Sequence, residues 1–212
     1  MRRYLRLYLV AGSPNCLIHP DLILQEAIRG GVTLFQFREK GPGALTGMPL
    51  IELAQRLQKV CRSQGVPFIV NDDVELALTV DADGVHVGQE DLAAHDVRTR
   101  IGSKILGVSA HSVEEARLAI SDGADYLGIG PVYPTESKPD ARAVQGPGLI
   151  RRLRESGIDA PLVGIGGLTA ANAGTVMSAG ADGIAVISAI TAAASPQAAS
   201  AELWKAVNRN GE

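Results

Sequence analysis

The sequence has few of the residues that disulfide-rich, zinc-binding or membrane-spanning proteins require. Its two cysteines, Cys16 and Cys61, form neither a disulfide framework nor a metal-knuckle spacing, which is typical of a reducing cytosol. The apolar run at residues 7–11 is too short for the centre of a signal peptide, and the Ala-rich run at 183–194 is too short to span a bilayer. We therefore expect a cytoplasmic protein that does not contact membranes.

A large excess of charge of either sign is also missing. The chain has 20 Lys and Arg against 23 Asp and Glu, so its formal net charge is −3. A surface for nucleic acid would need Lys and Arg clustered over a whole face. The expected partners are therefore small molecules and not nucleic acid, with any anion bound by a few local residues. The sequence leaves a homo-oligomer open.

A turn into a strand recurs along the chain. With 212 residues, 46% of them hydrophobic, and no Pro/Ser-rich linker, one domain spanning residues 1–212 is expected. Short phrases of Gly with Asp, Ala or Val precede an apolar run at 31–33, 81–84, 123–125 and 180–183, as where a helix ends and a strand begins. From these joints we predict eight strands, at residues 5–10, 34–38, 68–70, 85–87, 105–108, 126–129, 162–165 and 184–187.

Helical patterns lie between these strands. They cover residues 49–64, 113–120, 147–155, 170–179 and 196–208, with weaker ones at 22–29, 74–80 and 93–101. Such alternation implies parallel strands with helical crossovers. Eight units favour an α/β fold of the closed (β/α)8 TIM-barrel type, although the barrel typically needs about 250 residues. An open dinucleotide-binding sheet is disfavoured because residues 12–15 lack its glycine spacing.

The third strand ends in three polar residues, Asn71, Asp72 and Asp73. An amide and two carboxylates side by side would repel each other inside a sheet unless a cation or solvent received them. A turn that caps the following helix explains this stretch equally well. Because a barrel places its site on the loops after the strands, the other strand ends decide between the two interpretations.

Those other strand ends are also polar. Asp91 follows the fourth strand, so Asp72 and Asp91 could share Mg²⁺, which commonly takes one or two carboxylates and completes its shell with water and phosphate oxygens. Arg38, Lys40 and Lys138 add positive charges that suit a diphosphate. The alternative for Arg38 is a surface ion pair, but period-two alternation points it inward together with Gln36, while Phe37 points outward.

A second place for phosphate is indicated after strands seven and eight. Backbone N–H groups of Gly166, Gly167, Ile187 and Ser188 could form an anion nest, although glycines at this spacing are as typical of a tight turn. Thr135 and Ser137 offer hydroxyls near the same mouth, and turn capping is the alternative role for Ser137.

Residues for covalent catalysis are absent from the pattern. The chain has no serine-elbow motif and no evident Cys–His set, and Ser109 and His111 need not face each other on leaving a strand. His86, inside an apolar strand, is more typical of a hydrogen-bonded core residue than of a base. The site is therefore predicted to position anions and a metal without a covalent intermediate.

With these residues in view, nearly the whole chain resembles the thiamin phosphate synthase family. The motifs that carry the resemblance occur in the family's order. They are Gln36-Phe37-Arg38-Glu39-Lys40, Val70-Asn71-Asp72-Asp73, Gly88-Gln89-Glu90-Asp91, Gly107-Val108-Ser109-Ala110-His111, Pro131-Val132-Tyr133-Pro134-Thr135-Glu136-Ser137-Lys138 and Val163-Gly164-Ile165-Gly166-Gly167. One departure is Ser137, where the family commonly has Thr; the hydroxyl is kept.

The resemblance implies a role for each residue. Mg²⁺ would be held by Asp72 and Asp91, and Ser109, Lys138 and Arg38 would act in catalysis. The pyrimidine diphosphate would be bound by Gln36, Phe37, Arg38, Glu39, Lys40, Asn71, Ser109 and Lys138. The thiazole phosphate would be bound by Thr135, Glu136, Ser137, Gly167, Ile187 and Ser188.

The implied reaction joins hydroxymethylpyrimidine diphosphate to a thiazole phosphate and releases pyrophosphate, with CO₂ if the thiazole is carboxylated. Electron donation from the ring amino group can assist departure of the diphosphate, so the protein chiefly has to stabilise the leaving group. Two alternatives remain. Related thiazole tautomerases resemble this family in fold but would need a His base and no diphosphate cradle, and a non-catalytic phosphate-sensing module would release no pyrophosphate.

Overall fold

The computed structural model describes residues 1–137 and 143–208 and confirms the predicted (β/α)8 barrel. The strands close in sequence order, and every neighbouring pair, including β1 with β8, is parallel. They are β1 (Leu7–Ala11), β2 (Leu34–Phe37), β3 (Phe68–Asn71), β4 (Gly84–Val87), β5 (Ile105–Ala110), β6 (Tyr126–Ile129), β7 (Leu162–Ile165) and β8 (Gly183–Val186).

Helices surround the barrel, and a short 3-10 helix (Ser13–Asn15) follows β1. The α-helices are α1 (Arg2–Leu5), α2 (Pro20–Arg29), α3 (Gly47–Ser63), α4 (Val74–Thr79), α5 (Ala94–Ile101), α6 (Val113–Ser121), α7 (Gly148–Glu155), α8 (Ala173–Ser178), α9 (Ser188–Thr191) and α10 (Pro196–Asn208). Within the described ranges, no helix combines the length and the apolar character needed to cross a membrane.

Several element boundaries differ from the prediction by one to three residues, and for two of them the structure shows the physical reason. The first strand begins at Leu7 and not at residue 5, because Arg2–Leu5 form a short helix whose Leu5 is buried among the interior side chains. The helix after β7 begins at Ala173 and not at residue 170. Asn172 holds the preceding residues in a loop by accepting the Thr169 N–H (2.8 Å) and donating to the Gly167 carbonyl (3.0 Å).

Alternation along each strand divides the core into two layers. In β2, Phe35 and Phe37 pack outward under the helices, while Leu34 packs with the interior cluster. The interior cluster also contains the buried side chains of Tyr8, Val10, Ile69, Tyr126, Val163 and Ala185. This apolar and phenolic layer fills the barrel below the ends of the strands, so the open space lies at their carboxyl ends.

The recurrent Asp before a strand has a function beyond the turn. Each of three such carboxylates accepts the N–H of the first or second residue of a neighbouring strand, at 2.8 Å. The pairs are Asp83 with Phe68, Asp125 with Leu106 and Asp182 with Leu162. These N–H groups lie at the amino ends of the strands. The repeated Asp therefore supplies a hydrogen-bond acceptor to the backbone at the end of the barrel opposite the cavity.

Arg154 reinforces one of these joints from α7. Its guanidinium donates to the carbonyls of Gly180 (2.9 Å), Ile158 and Ala160 (both 2.8 Å), and to the Asp182 carboxylate (2.8 Å). The side chain is 22% exposed, so most of these bonds are shielded from water. One arginine thus ties together the loops that precede β7 and β8.

We expect Arg154→Ala to lower the free energy of unfolding by about 2–4 kcal/mol, because several carbonyls and a carboxylate would lose a charged donor. Urea denaturation followed by circular dichroism measures this difference. Arg151→Ala is the matched control, since Arg151 lies exposed on the same helix and its loss should cost under about 0.5 kcal/mol. Equal losses in the two variants would contradict a bracing role for Arg154.

Candidate active site

A cavity of about 580 Å³ opens at the carboxyl ends of the strands. All eight strands or the loops that follow them contribute to its lining, and this volume falls in the range of small-molecule sites. The structure therefore brings most of the predicted residues together. Those that line the cavity are Gln36, Arg38, Lys40, Asn71, Asp72, Asp91, Ser109, Thr135, Ser137, Gly167, Ile187 and Ser188.

The end of β2 supplies the basic side of the cavity. Gln36 and Arg38 point inward and are only 4% and 8% exposed. Phe37 points the other way, and its ring stacks on Phe68 with 6.2 Å between centroids. The predicted alternation is confirmed, and it removes the Phe37 side chain from the cavity.

Glu39 also lies outside the cavity lining, although it was predicted to bind substrate. Its carboxylate accepts hydrogen bonds from the backbone N–H of Ser13 (2.7 Å) and of Leu45 (2.9 Å), and it contacts the Ser13 hydroxyl. Glu39 therefore braces the loop that carries Lys40 and could influence a ligand only through that loop. Gly12 permits this contact, since a Cβ there would lie 2.1 Å from the Arg38 carbonyl oxygen.

In the stretch after β3, one residue caps a helix and another lines the cavity. Asp73 caps α4 by accepting the Leu76 N–H at 2.9 Å. Asp72 lines the cavity in a left-handed backbone conformation (φ 58°), and its N–H donates to the His86 carbonyl at 2.8 Å. The turn therefore caps a helix and presents a carboxylate at the same time.

Asp72 lies among charged neighbours at the cavity mouth. Burial raises the pKa of its carboxyl above the usual value, contact with Asp91 raises it further, and the Lys40 ammonium lowers it. Lys40 forms a direct ion pair with the Asp72 carboxylate. Asp91 in turn accepts the Gly88 N–H at 2.8 Å, which holds it beside Asp72.

This carboxylate pair fits a hard divalent cation. Two acidic groups close enough to raise a pKa repel each other when ionised, and a dication between them would remove that repulsion. Across residues 1–137 and 143–208, no cluster of three or more His, Cys, Asp or Glu is placed to hold a metal. A cation at Asp72 and Asp91 would therefore take its remaining ligands from water or from the substrate.

Hydroxyl groups cluster on the opposite side of the mouth. Ser137 donates to the Ser188 hydroxyl at 3.0 Å, which joins the loop after β6 to the start of α9. The Ser137 N–H also donates to the Thr135 hydroxyl at 3.3 Å, so the side chain that caps this turn is that of Thr135 and not that of Ser137. Glu136 is exposed and does not line the cavity.

Gly167 is constrained by its neighbours. Its φ is +62°, and a Cβ there would lie 2.4 Å from the Pro134 carbonyl oxygen and 2.8 Å from the Tyr133 Cβ. A side chain at this position would therefore displace the loop after β6 in addition to any ligand. Lys138, predicted to contact the diphosphate, lies outside the residues that the structure describes.

The side chain that pairs with Ser109 was not predicted from the sequence. The Ser109 hydroxyl lies 3.0 Å from Nε2 of His86, whereas the ring of His111 contacts Glu115 at 2.9 Å. His86 is 9% exposed and hydrogen-bonded, as the interpretation of a core histidine required. The alternation of side chains along a strand could have indicated this pair, because His86 and Ser109 both fall on inward positions of adjacent strands.

The closed parallel barrel, with polar side chains gathered at the carboxyl ends of its strands, defines a TIM-barrel enzyme. The family model described as "Thiamine monophosphate synthase" matches residues 7–190. The chain belongs to this family.

Individual relatives agree with that assignment. A thiamine-phosphate synthase of Geobacillus kaustophilus is 63% identical over 207 residues, which cover 98% of this chain and 94% of the relative. One of Bacillus mycoides is 54% identical over 210 residues, covering 99% and 96% of the two chains. Among solved structures, a thiamine phosphate pyrophosphorylase from Pyrococcus furiosus superposes with a TM-score of 0.88 at 38% identity, covering 98% of this chain and 97% of the other.

Proposed function

We propose that this chain is a thiamin phosphate synthase that acts, as a single barrel domain, in thiamin biosynthesis. The C–O bond between the pyrimidine methylene and the diphosphate breaks, and a C–N bond forms between that methylene and the thiazole nitrogen. The products are thiamin phosphate and pyrophosphate, with CO₂ if the thiazole is carboxylated. The observation that carries this proposal is that the basic end of β2 and the glycine and hydroxyl loops after β6 to β8 line one cavity.

The basic side would receive the pyrimidine diphosphate. Arg38 is buried at the cavity wall and offers a planar fork of donors, while Lys40 offers a mobile ammonium at the mouth. Gln36 and Asn71 line the same wall and present amide groups to the pyrimidine. Lys40, now paired with Asp72, would exchange that partner for phosphate oxygens when the substrate enters.

Asp72 and Asp91 are the residues that would hold Mg²⁺. When bound, the ion would neutralise negative charge that develops on the departing diphosphate. Asp91 is fixed by the Gly88 N–H, and Asp72 is fixed by its backbone bond to His86, so the carboxylates are positioned before substrate arrives. Their acceptor oxygens thus need little rearrangement.

The opposite side would receive the thiazole phosphate. Ser137 and Ser188 already share a hydrogen bond, and their hydroxyls can turn to donate to phosphate oxygens. Gly167 and Ile187 add backbone N–H groups at the same wall. In this arrangement the thiazole nitrogen faces the pyrimidine across the cavity.

The bond-breaking step needs no protein nucleophile. The electron pair of the pyrimidine amino group assists departure of the diphosphate, which leaves a cation-like methylene. The thiazole nitrogen carries its own lone pair and attacks that carbon directly. Arg38, with Lys40 and Lys138, would stabilise the negative charge that moves onto the leaving group, and Ser109 would orient the pyrimidine.

The direct test is pyrophosphate release from the two mixed substrates in the presence of Mg²⁺. Release that requires both substrates, with thiamin phosphate as the second product, supports the proposal. A thiazole tautomerase would convert its substrate without pyrophosphate, and a phosphate-sensing module would bind without turnover. We further propose that the protein works in the cytoplasm on small molecules and not on nucleic acid, in keeping with two free thiols and the balanced charge.

Lys138→Ala should lower the single-turnover rate by at least about tenfold while changing substrate affinity less, because its charge is needed mainly on the departing diphosphate. Rapid-quench measurements with both substrates saturating separate the two effects. Lys59→Ala is a suitable control. Lys59 lies exposed on α3, so this substitution removes the same charge at a position away from the cavity. An unchanged rate with weakened binding would make Lys138 a ground-state contact.

A further inference from the structure

A continuous chain of hydrogen bonds crosses the barrel at the floor of the cavity. Gln36 donates through Nε2 to the Tyr8 hydroxyl (2.7 Å), which lies 2.8 Å from the Tyr126 hydroxyl. Tyr126 reaches Nδ1 of His86 at 2.9 Å, and Nε2 of His86 reaches the Ser109 hydroxyl at 3.0 Å. Both ends of the chain, Gln36 and Ser109, line the cavity, as do Tyr8 and His86, whereas Tyr126 lies behind them.

The middle of this chain is shielded from water. Tyr8 and Tyr126 are 1% and 0% exposed, and burial raises the pKa of both phenols, so each keeps its proton at neutral pH. Gly107 provides the space: a Cβ there would lie 2.2 Å from the Tyr126 ring and 2.4 Å from Nδ1 of His86. The absence of a side chain at Gly107 thus leaves the space that the Tyr126 and His86 side chains occupy.

The direction of the hydrogen bonds follows from counting protons. Each phenol has one proton to donate, and the Tyr8 oxygen already accepts from the Gln36 amide. With a neutral imidazole, donation from Tyr8 to Tyr126 and from Tyr126 to Nδ1 of His86 gives each buried hydroxyl proton an acceptor. The imidazole proton therefore lies on Nε2 and points at Ser109.

This direction determines what the cavity floor offers a ligand. Since Ser109 accepts from His86, its own proton is directed to a ligand acceptor. Since Gln36 uses Nε2 on Tyr8, its Oε1 remains an acceptor. A heterocycle that carries an amino N–H and an unprotonated ring nitrogen matches this pair, whereas an oxo analogue places a carbonyl oxygen against the Gln36 oxygen.

We propose that Tyr8, Tyr126 and His86 are positioning residues that set the hydrogen-bond polarity of Gln36 and Ser109, and thereby select an aminopyrimidine over its oxo analogue. This inference rests on the proposed function, because it assumes that the pyrimidine lies against Gln36 and Ser109. None of the three positioning residues needs to touch the reacting atoms. Their effect on selectivity would pass through the two residues at the ends of the chain.

The selectivity test uses Tyr126→Phe, which keeps the ring and removes the central hydroxyl. Calorimetric titration with hydroxymethylpyrimidine diphosphate and with its 4-oxo analogue, in the presence of Mg²⁺ and without thiazole, gives two dissociation constants. We expect the parent to prefer the amino compound by about 100-fold or more, and the variant to lose about tenfold of that preference. Tyr4→Phe is the matched control, since its hydroxyl contacts Arg3 on the helix that precedes β1.

The proton arrangement is tested independently by ¹⁵N NMR of the parent, with His86 assigned by comparison with His86→Asn. We expect the neutral tautomer with the proton on Nε2. A proton on Nδ1, or full retention of amino preference in a folded Tyr126→Phe, would overturn the inference while leaving the synthase activity in place. Failure of the parent to bind either pyrimidine would overturn the proposed function and this inference together.

Discussion

Asp72→Asn should fold like the parent and lose turnover by about 1000-fold, because it removes the charge that a divalent cation and Lys40 require. Asparagine is the appropriate replacement, since it tolerates the left-handed backbone of Asp72 (φ 58°) and preserves the side-chain volume. The measurement is the steady-state rate of pyrophosphate release across a range of Mg²⁺ concentrations. Chelation of Mg²⁺ in the parent should give a similar loss.

Asp73→Asn provides the matched control for this experiment. It makes the same chemical change one residue further along, where the side chain caps α4 and an amide oxygen can still accept the Leu76 N–H. We expect its turnover to stay close to that of the parent. If Asp72→Asn also remains within a few-fold of the parent in excess Mg²⁺, the assignment of the metal to Asp72 and Asp91 is wrong.

The sequence predicted the barrel well because its signals are local. Glycine-containing joints precede four of the eight apolar runs, and period-two alternation within β2 was sufficient to place Gln36 and Arg38 inside and Phe37 outside. Helix starts were less predictable. The late start of α8 depends on the Asn172 hydrogen bonds to a loop that no local pattern specifies.

Contacts between distant strands could not be read from the sequence. Glu39 was predicted to bind substrate together with Arg38 and Lys40, but its carboxylate accepts the N–H of Ser13, 26 positions away in the segment after β1. The pairing of His86 with Ser109 depends on the register of β4 against β5, and that of Tyr8 with Tyr126 depends on closure of the barrel. Such contacts require the three-dimensional arrangement because residues that touch are separated by one or several βα units.

We expect two separate anion sites in the cavity. Charged side chains would bind the pyrimidine diphosphate, and hydroxyl and backbone N–H groups would bind the thiazole phosphate. Arg38→Gln should weaken binding of the pyrimidine diphosphate by about 100-fold, because a buried guanidinium on phosphate is a charge-assisted donor. The thiazole phosphate should bind this variant almost as well as it binds the parent. Arg38→Lys retains the charge without the planar fork, so its loss should be intermediate.

The reciprocal variant is Ser188→Ala, which removes a hydroxyl that Ser137 contacts across the mouth. It is preferable to a substitution of Gly167, because any side chain there would collide with the loop at Pro134 and confuse a binding effect with a structural one. We expect Ser188→Ala to weaken the thiazole phosphate by about fivefold to tenfold and to spare the diphosphate. Calorimetric titration of each ligand alone, with Mg²⁺ present, gives both affinities. If both substitutions weaken the same ligand to the same extent, the anions share one receptor, and the division of the cavity into a basic side and a hydroxyl side is incorrect.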